Sequence, residues 1–366
     1  MRFYAPTDVY LEKDCVKNHS KDLTKLGTKA FIITGRHSSA VNGSLQDVTS
    51  VLEEAAIPYE IFNDIEENPS IETVVKASEA GKAFGADFVI GIGGGSPLDA
   101  SKAIALLMAN PEETADCLYT PKELKPLPIA AVPTTCGTGS EVTPNAVLTI
   151  HEKETKKSIS YHLYPDLALV DGKYLRFASR NLLINTVTDA LAHCIESNLH
   201  AKNNPYNSMF SSYGMKLWAA LKPYLMEEEE AEDHIYDIFM LASTVAGMAI
   251  AQTGTSLPHA LSYEITYHYG VPHGKACGLF LAAYLKLYQK YAPKMVREVL
   301  NILEFNTLDD FRLFLKDLLG EVSITEEELE RYADNIMANP SKLSTWPFEI
   351  TRDEVRDMLA QSLIIR

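Results

Sequence analysis

The sequence predicts two domains in series: an α/β domain built on a parallel sheet over residues 1–178, and an all-α domain over residues 179–366. Three observations carry this expectation. Short apolar runs alternate with helix-like segments through the first half, the pattern of βαβ units. From about residue 180 the apolar residues recur at helical spacing instead. The length of 366 residues suits two domains of ordinary size, each able to bury a core.

In the first half, Ala30-Phe31-Ile32-Ile33-Thr34 reads as a buried strand, 44–55 as a helix and Tyr59-Glu60-Ile61-Phe62 as a second strand. A helix over 70–84 leads to a third strand, Asp87–Ile92. The helix Pro97–Ala109 then leads to a fourth, Pro128–Val132. Residues 146–161 read as an appended antiparallel hairpin: Val147–Ile150, a polar His151–Thr155 turn, then Ser158–Ser160. Asp171-Gly172-Lys173 interrupts the pattern and puts the domain boundary near 172–182. Helices are expected at 181–198, 206–222, 233–252, 276–291, 307–319, 325–337 and 351–363. Thr325 with Glu328, and Thr351 with Glu354, have capping-box spacing.

Composition excludes several function classes. A formal net charge of −16 disfavours nucleic acid, because phosphate contacts need clustered Lys and Arg. The most acidic stretch, Glu227–Glu230 with Glu232 and Asp233, reads as a solvated helix junction. No apolar run reaches the roughly 18 residues of a membrane span, and Met1–Pro6 lacks the apolar core of a secretory signal. A cytoplasmic protein is expected. The five cysteines (Cys15, Cys117, Cys136, Cys194 and Cys277) are scattered and form no C-x-x-C. That fits a reducing compartment and implies that any metal here uses His and carboxylate.

Two turns are rich in hydrogen-bond donors. The third strand runs into Gly93-Gly94-Gly95-Ser96-Pro97. Glycines let backbone approach a pyrophosphate, and a following helix offers free N–H groups and its positive dipole end. Ser96 suits the N-cap and Pro97 the first helical position. The run departs from G-x-G-x-x-G at Ser96, and no acidic ribose ligand follows at the usual distance. The fourth strand runs into Pro133-Thr134-Thr135-Cys136-Gly137-Thr138-Gly139-Ser140-Glu141, with hydroxyls and amides able to meet a phosphate or a nicotinamide. Both turns follow the C-terminal ends of strands, where open α/β sheets bind ligands, so a dinucleotide-binding domain is expected.

In the second half, Asp189 and His193 stand four residues apart in a helical segment, so their side chains share a face. His259 and His273 each follow a proline, in Pro258-His259-Ala260-Leu261 and Pro272-His273-Gly274-Lys275. Either pair alone reads as structural. Together they make a three-nitrogen, one-oxygen set suited to Fe2+ or Zn2+, and ligand softness does not choose between the two.

Taken together, these motifs resemble the iron-containing, or group III, alcohol dehydrogenases. Gly93–Lys102 is similar to that family's pyrophosphate loop and Pro133–Thr143 to its second loop. Asp189–Glu196, Pro258–Leu261 and Pro272–Gly274 are similar to its ligand segments. The resemblance runs from Phe31 to the C-terminal helices. It implies the dehydroquinate-synthase-like fold, commonly as a homodimer, with Asp189, His193, His259 and His273 as metal ligands. It also implies cofactor contacts from Asn68, Gly94, Gly95, Ser96, Asp99, Thr134, Thr135, Thr138 and Lys157, and a place for Asn145 beside nicotinamide and substrate.

The chain departs from the family pattern in places. Where many NAD-preferring members carry Asp after the first strand, it has Gly35, followed by Arg36, His37, Ser38 and Ser39. Losing the carboxylate and gaining donors favours NADP(H) over NAD(H). Tyr263 replaces a histidine that some members use as a proposed proton relay, and Val187-Thr188 stands where a small residue is common before the ligand Asp. The implied reaction is hydride transfer between a nicotinamide and a small primary alcohol, diol or aldehyde, with a metal as Lewis acid. The alternatives are a sugar-phosphate cyclase of the dehydroquinate-synthase type, which needs a more basic pocket, and a glycerol-dehydrogenase-like polyol oxidoreductase. A non-enzymatic metal- or nucleotide-binding module is the third.

Overall fold

Six parallel strands form the N-terminal sheet: β1 (Asp8–Leu11), β2 (Ala30–Gly35), β3 (Tyr59–Ile65), β4 (Phe88–Gly93), β5 (Ile129–Pro133) and β8 (Leu167–Val170). Their spatial order is β1-β8-β5-β4-β2-β3. The computed structural model describes residues 3–153, 155–227, 229 and 231–366. Residues 228 and 230 of the acidic stretch, and Glu154 of the expected hairpin turn, lie outside the described residues.

The strands are buried on both faces, as parallel sheets require. Ala30 and Ile32 of β2 pack into one core with Val48, Val51 and Leu52 of α1 (Ser44–Glu54). Phe31 and Ile33 pack into the other, with Val74 and Ala77 of α2 (Ile71–Phe84) and Ala100, Ala103 and Ile104 of α3 (Gly95–Ala109). Successive side chains of a strand point to opposite faces, so the apolar run Ala30–Ile33 serves both cores. From β2 the chain crosses to β3 on one side. From β4 it crosses to β5 on the other. The C-terminal ends of β2 and β4 therefore flank the switch point, where ligands of such sheets bind.

Strands β1 and β8 were not expected from the sequence. Each has only four residues, and β1 is a half-exposed edge strand. The appended hairpin is present as β6 (Val147–Ile150) and β7 (Thr155–Ser158), antiparallel, with Leu148 opposite Lys157 and Thr149 opposite Lys156. Its second strand begins at Thr155, three residues before the expected Ser158, because a short 3-10 turn at His151–Lys153 closes it early. The N-terminus of α3 also differs from expectation. Gly94 is the N-cap and the helix starts at Gly95, so Ser96 and Pro97 already lie in the first turn.

The second half carries nine long helices among the described residues: α4 (Arg180–Leu199), α5 (Pro205–Leu225), α6 (Asp233–Thr253), α7 (Leu257–Tyr269), α8 (His273–Gln289), α9 (Pro293–Ile302), α10 (Leu308–Leu319), α11 (Glu326–Met337) and α12 (Arg352–Ser362). The capping boxes at Thr325/Glu328 and Thr351/Glu354 are formed. The two-residue strands β9 (Ser323–Ile324) and β10 (Ile364–Ile365) pair in parallel. Helix α9 was not expected from the sequence; neither was α7, and α8 starts three residues earlier than the pattern at 276 suggested. In α7 and α8 a proline beside the histidine stands at the helix entrance, a position that favours helix starts.

The described chain divides into two compact units. One comprises Tyr4–Ala178 with Glu232–Met240, the other Phe3, Ser179–Ala231 and Leu241–Arg366. Helix α6 is long and apolar enough to cross a membrane, with mean hydropathy 1.4, but 61% of that stretch is buried inside the protein. A buried core helix has this composition.

Candidate metal centre

Helix α4 carries the first two ligand candidates. Ser179 caps it by accepting the Leu182 N–H, and nearly every side chain from Val187 to Ser197 is buried. Asp189 and His193, one turn apart, are 4% and 5% exposed. His259 lies in the first turn of α7 and His273 is the first residue of α8. Gly270, left-handed at φ 63°, ends α7 and lets the chain reverse.

Gly274 sets how closely α8 approaches α4. A Cβ there would stand 1.8 Å from the Asn185 carbonyl oxygen and 3.0 Å from Asp189 Cβ. Four residues on, a Cβ at Gly278 would meet Thr188 Cγ2 at 2.5 Å. Two glycines one turn apart thus bring the His273 end of α8 onto the face of α4 that bears Asp189.

The three imidazoles converge on one carboxylate oxygen. Asp189 Oδ1 lies 3.2 Å from His259 Nε2, 3.7 Å from His193 Nε2 and 3.8 Å from His273 Nε2. The His193 and His259 rings stack at 4.7 Å, and His273 stands edge-on to His259 at 5.3 Å. Despite this proximity, Asp189 Oδ1 and His259 Nε2 are buried without a hydrogen-bond partner. Unpaired buried polar atoms are costly, so such a convergence calls for a bound group. A divalent cation with nitrogen and oxygen ligands fits this donor set.

Burial works against the charge on Asp189, but His193, His259 and His273 hold its carboxyl well below the usual range. Burial pushes His193 down to about 4. His259 goes the other way: burial opposes its charge, yet Cys277, Glu196 and Asp189 hold it well above the ordinary imidazole value.

Two residues in this cluster were not singled out from the sequence. Glu196 is fully buried on α4, and its Oε1 stands 2.5 Å from His259 Nδ1. Its other oxygen accepts the Ser256 backbone N–H. With the proton on Nδ1, the Nε2 lone pair is free to face Asp189, the carboxylate–histidine arrangement that orients metal-binding imidazoles. The available signal was spacing, since Glu196 follows Asp189 by seven residues and His193 by three, on the same face. The second residue is Cys277, one turn beyond His273. Donor atoms of Asp189, His259, His273 and Cys277 all lie within 4.8 Å of one another, whereas His193 is not in that group and meets it through Asp189 Oδ1 at 3.7 Å. A single thiol thus reaches the cluster without a C-x-x-C, beside the His and carboxylate donors expected from the sequence.

The other unit brings the two donor-rich turns together. A Cβ at Gly94 would meet Thr135 Oγ1 at 2.9 Å, and one at Gly95 would meet Thr138 Cγ2 at 2.6 Å. The Thr134 N–H donates to the Gly93 carbonyl at 2.9 Å. Gly93 itself has φ 147°, which favours glycine. Ser96 Oγ accepts the backbone N–H of Asn68, which is left-handed at φ 58°. The Asn68 side-chain oxygen accepts from Lys156 Nζ at 2.7 Å. Lys157 instead lies over the Tyr119 ring at 5.2 Å, so Lys156 is the lysine that meets Asn68.

Asp99 has both oxygens engaged within the protein. Oδ1 accepts from Ser140 Oγ at 2.5 Å and Oδ2 from the Val147 N–H at 2.9 Å. The fully buried Lys102 completes the network. Its Nζ donates at 2.8 Å to both Ser140 Oγ and the Asn145 carbonyl oxygen, and burial pushes it down to about 8. Asp99 and Lys102 thus fix the second loop and the backbone at Asn145 to α3. After β2, Arg36 Nε pairs with Asp64 at 2.8 Å, Ser38 is exposed, and Ser39 is buried, accepting from Thr34 Oγ1.

Comparison with known proteins places the chain in a family. The iron-containing alcohol dehydrogenase model matches residues 6–172, and the model of that family's C-terminal part matches residues 183–363. The chain belongs to the iron-containing alcohol dehydrogenase family. It is 36% identical to an iron-containing alcohol dehydrogenase of Thermotoga maritima, whose solved structure superposes with a TM-score of 0.91 over 99% of each chain. Against the NADPH-dependent butanol dehydrogenase of Clostridium saccharobutylicum it is 30% identical over 295 residues, 79% of this chain and 74% of that one. A sulfoacetaldehyde reductase from Bifidobacterium kashiwanohense, solved in complex with NAD+, is 27% identical, with a TM-score of 0.87 over 99% of this chain and 98% of that one. As a family member the chain is an alcohol/aldehyde oxidoreductase, with a metal and a nicotinamide cofactor implied. That decides against the cyclase and the non-enzymatic module.

Proposed function

We propose that this iron-containing alcohol dehydrogenase is an NADP(H)-preferring reductase of small aldehydes, using Fe2+ or Zn2+ held by Asp189, His193, His259 and His273. The observation that carries the metal reading is the convergence of three imidazole Nε2 atoms on Asp189 Oδ1 within 3.8 Å, with Asp189 Oδ1 and His259 Nε2 otherwise unpartnered. A cation held there supplies Lewis acidity toward an alcohol or carbonyl oxygen.

The protein's own part is preorganisation. Glu196 fixes the tautomer of His259, and the glycines of α8 fix the place of His273. His273 keeps about a third of its side chain exposed and so provides the open side of the cluster. The Gly94–Ser96 turn, with the free N–H groups at the start of α3, supports a role in pyrophosphate binding. Thr134, Thr135 and Thr138 would add hydroxyls to the same patch.

The preference for NADP(H) rests on Gly35. A carboxylate there would meet the adenosine ribose and repel a 2′-phosphate, and its absence removes that repulsion. Ser38 supports the same reading as an exposed donor, whereas Arg36 is shared with Asp64. The relatives include one named for NADPH and one solved with NAD+, so both cofactors occur among them. The five buried free cysteines support a reducing, cytoplasmic setting, and family membership supports a homodimer.

Two experiments test the proposal. Metal-stripped protein should lose reduction of butanal by NADPH, followed at the nicotinamide absorbance band, and regain it with Fe2+ or Zn2+. Equal rates with and without metal would sink the metal role. Gly35→Asp has room, since the nearest atom to an added Cβ is the Ile65 carbonyl oxygen at 3.5 Å. It should weaken NADPH about tenfold or more relative to NADH, about 1.4 kcal/mol. An unchanged ratio would refute the assignment to Gly35.

A further inference from the structure

We propose that Cys277 supplies a thiolate donor to the metal ion, beside the Asp and His residues that the family pattern provides. The inference rests on the reading that this cluster holds a metal, and it adds a ligand of a different chemical class.

The geometry comes from α8. Cys277 follows His273 by four residues, so the two side chains share a helix face. That face is pressed onto α4, because Gly274 and Gly278 leave no side chain between the helices. The Cys277 sulfur lies 3.8 Å from His273 Nε2, and its donor atom joins those of Asp189, His259 and His273 within 4.8 Å. It is fully buried. The cluster also contains two unpartnered polar atoms, Asp189 Oδ1 and His259 Nε2, on residues 4% and 3% exposed. Sulfur, nitrogen and oxygen therefore surround the same point from three helices.

Position alone does not explain this. Cys194 adjoins His193 on α4, yet its sulfur faces Gly214, where a Cβ would stand 2.4 Å away. A thiolate has chemical consequences for the ion held. Sulfur ligands favour thiophilic ions such as Zn2+ and Co2+ over Mg2+ and Mn2+.

Cobalt substitution of the full-length enzyme tests this without reference to turnover. With Co2+ bound, the wild type should show an intense near-ultraviolet thiolate-to-cobalt charge-transfer band. Cys277→Ser should bind Co2+ and lose the band, while Cys194→Ala should keep it. Co2+ bound by the wild type without the band, or a band that survives Cys277→Ser, overturns the proposal. Failure to take up Co2+ at all overturns the metal reading as well. If Cys277→Ser does not fold, X-ray absorption on the Zn2+-loaded wild type decides. A sulfur shell at about 2.3 Å beyond the nitrogen and oxygen shell at about 2.0–2.1 Å supports the ligand, and its absence refutes it.

Discussion

Replacing Glu196 by Gln should weaken metal binding about 10–100-fold while leaving the fold intact. The reason lies in hydrogen-bond polarity. Glu196 meets two donors, the Nδ1–H of His259 and the Ser256 backbone N–H, and a carboxylate accepts both. Gln has nearly the same volume but offers one oxygen and one NH2 group. If the oxygen serves Ser256, the NH2 faces His259 and forces Nδ1 to accept. The imidazole proton then sits on Nε2, the atom that lies 3.2 Å from Asp189 Oδ1 and must offer a lone pair to the ion. If the oxygen serves His259, the Ser256 N–H is left facing a donor, a loss of about 1–3 kcal/mol of stability. Removing such orienting partners typically costs 10–100-fold in metal affinity, or about 1.4–2.8 kcal/mol. Competition for Zn2+ against a chromophoric chelator measures the affinity, and urea unfolding of the metal-free protein measures the second cost. Wild-type values in both experiments would show that Glu196 does not set the tautomer of His259.

Three further outcomes follow from the same structure. Gly274→Ala places a methyl 1.8 Å from the Asn185 carbonyl oxygen, so it should cost about 1–3 kcal/mol or more and weaken Co2+ uptake, whereas unchanged unfolding and uptake would show that α8 does not need this close approach. Lys102→Met removes a buried cation from beside Asp99 and two donated hydrogen bonds. It should lower urea stability by about 3 kcal/mol and raise the KM for the nicotinamide cofactor, and a shift under 1 kcal/mol with unchanged KM would refute the stapling role. In the metal-free protein His259 and His273 are both held above the ordinary imidazole value, while His193 is pushed down to about 4 and is neutral at pH 7. Metal uptake near neutral pH should therefore expel a proton from His259, so affinity should rise with pH, about tenfold per unit for the proton released. Calorimetry in buffers of different ionisation enthalpy counts the protons released, and a count of zero would contradict the assigned states.

The chemistry of this site was more legible in the sequence than its supports. Asp189 and His193 share a helix face by i, i+4 spacing but read as a site only beside His259 and His273, while the Gly94–Ser96 and Thr134–Thr138 turns stand out by composition. The ends of the elements were less legible, because Ser96-Pro97 has the chemistry of a helix entrance although α3 begins two residues earlier. Helix α7 escaped because its short apolar pattern, Leu257, Ala260, Leu261 and Ile265, starts at a proline. Glu196, Cys277 and Lys156 escaped for a different reason. A buried Glu, a lone Cys and one of two adjacent lysines have no sequence signature until the fold shows what each one meets. Lys156 and Lys157 point to opposite faces of β7, and the register, with Lys156 opposite Thr149, gives Lys156 to Asn68.

The strongest competing account of the cluster is an internal ion pair, with a protonated His259 bridging Glu196 and Asp189. It would explain why two carboxylates are buried on one helix and why His259 holds its proton so firmly. It predicts a well-aligned hydrogen bond at each end of the imidazole. The Glu196 end has one, at 2.5 Å. The Asp189 end does not: the atoms stand 3.2 Å apart, and both lack a hydrogen-bond partner. An ion pair also gives no reason for His193 to turn Nε2 toward the same oxygen, since burial pushes that ring down to about 4 and leaves it neutral near pH 7. A divalent cation accounts for all of these at once. His259 Nε2 and Asp189 Oδ1 would hold such an ion through their lone pairs, its charge would offset the buried carboxylates, and Nδ1–H of His259 would stay bonded to Glu196.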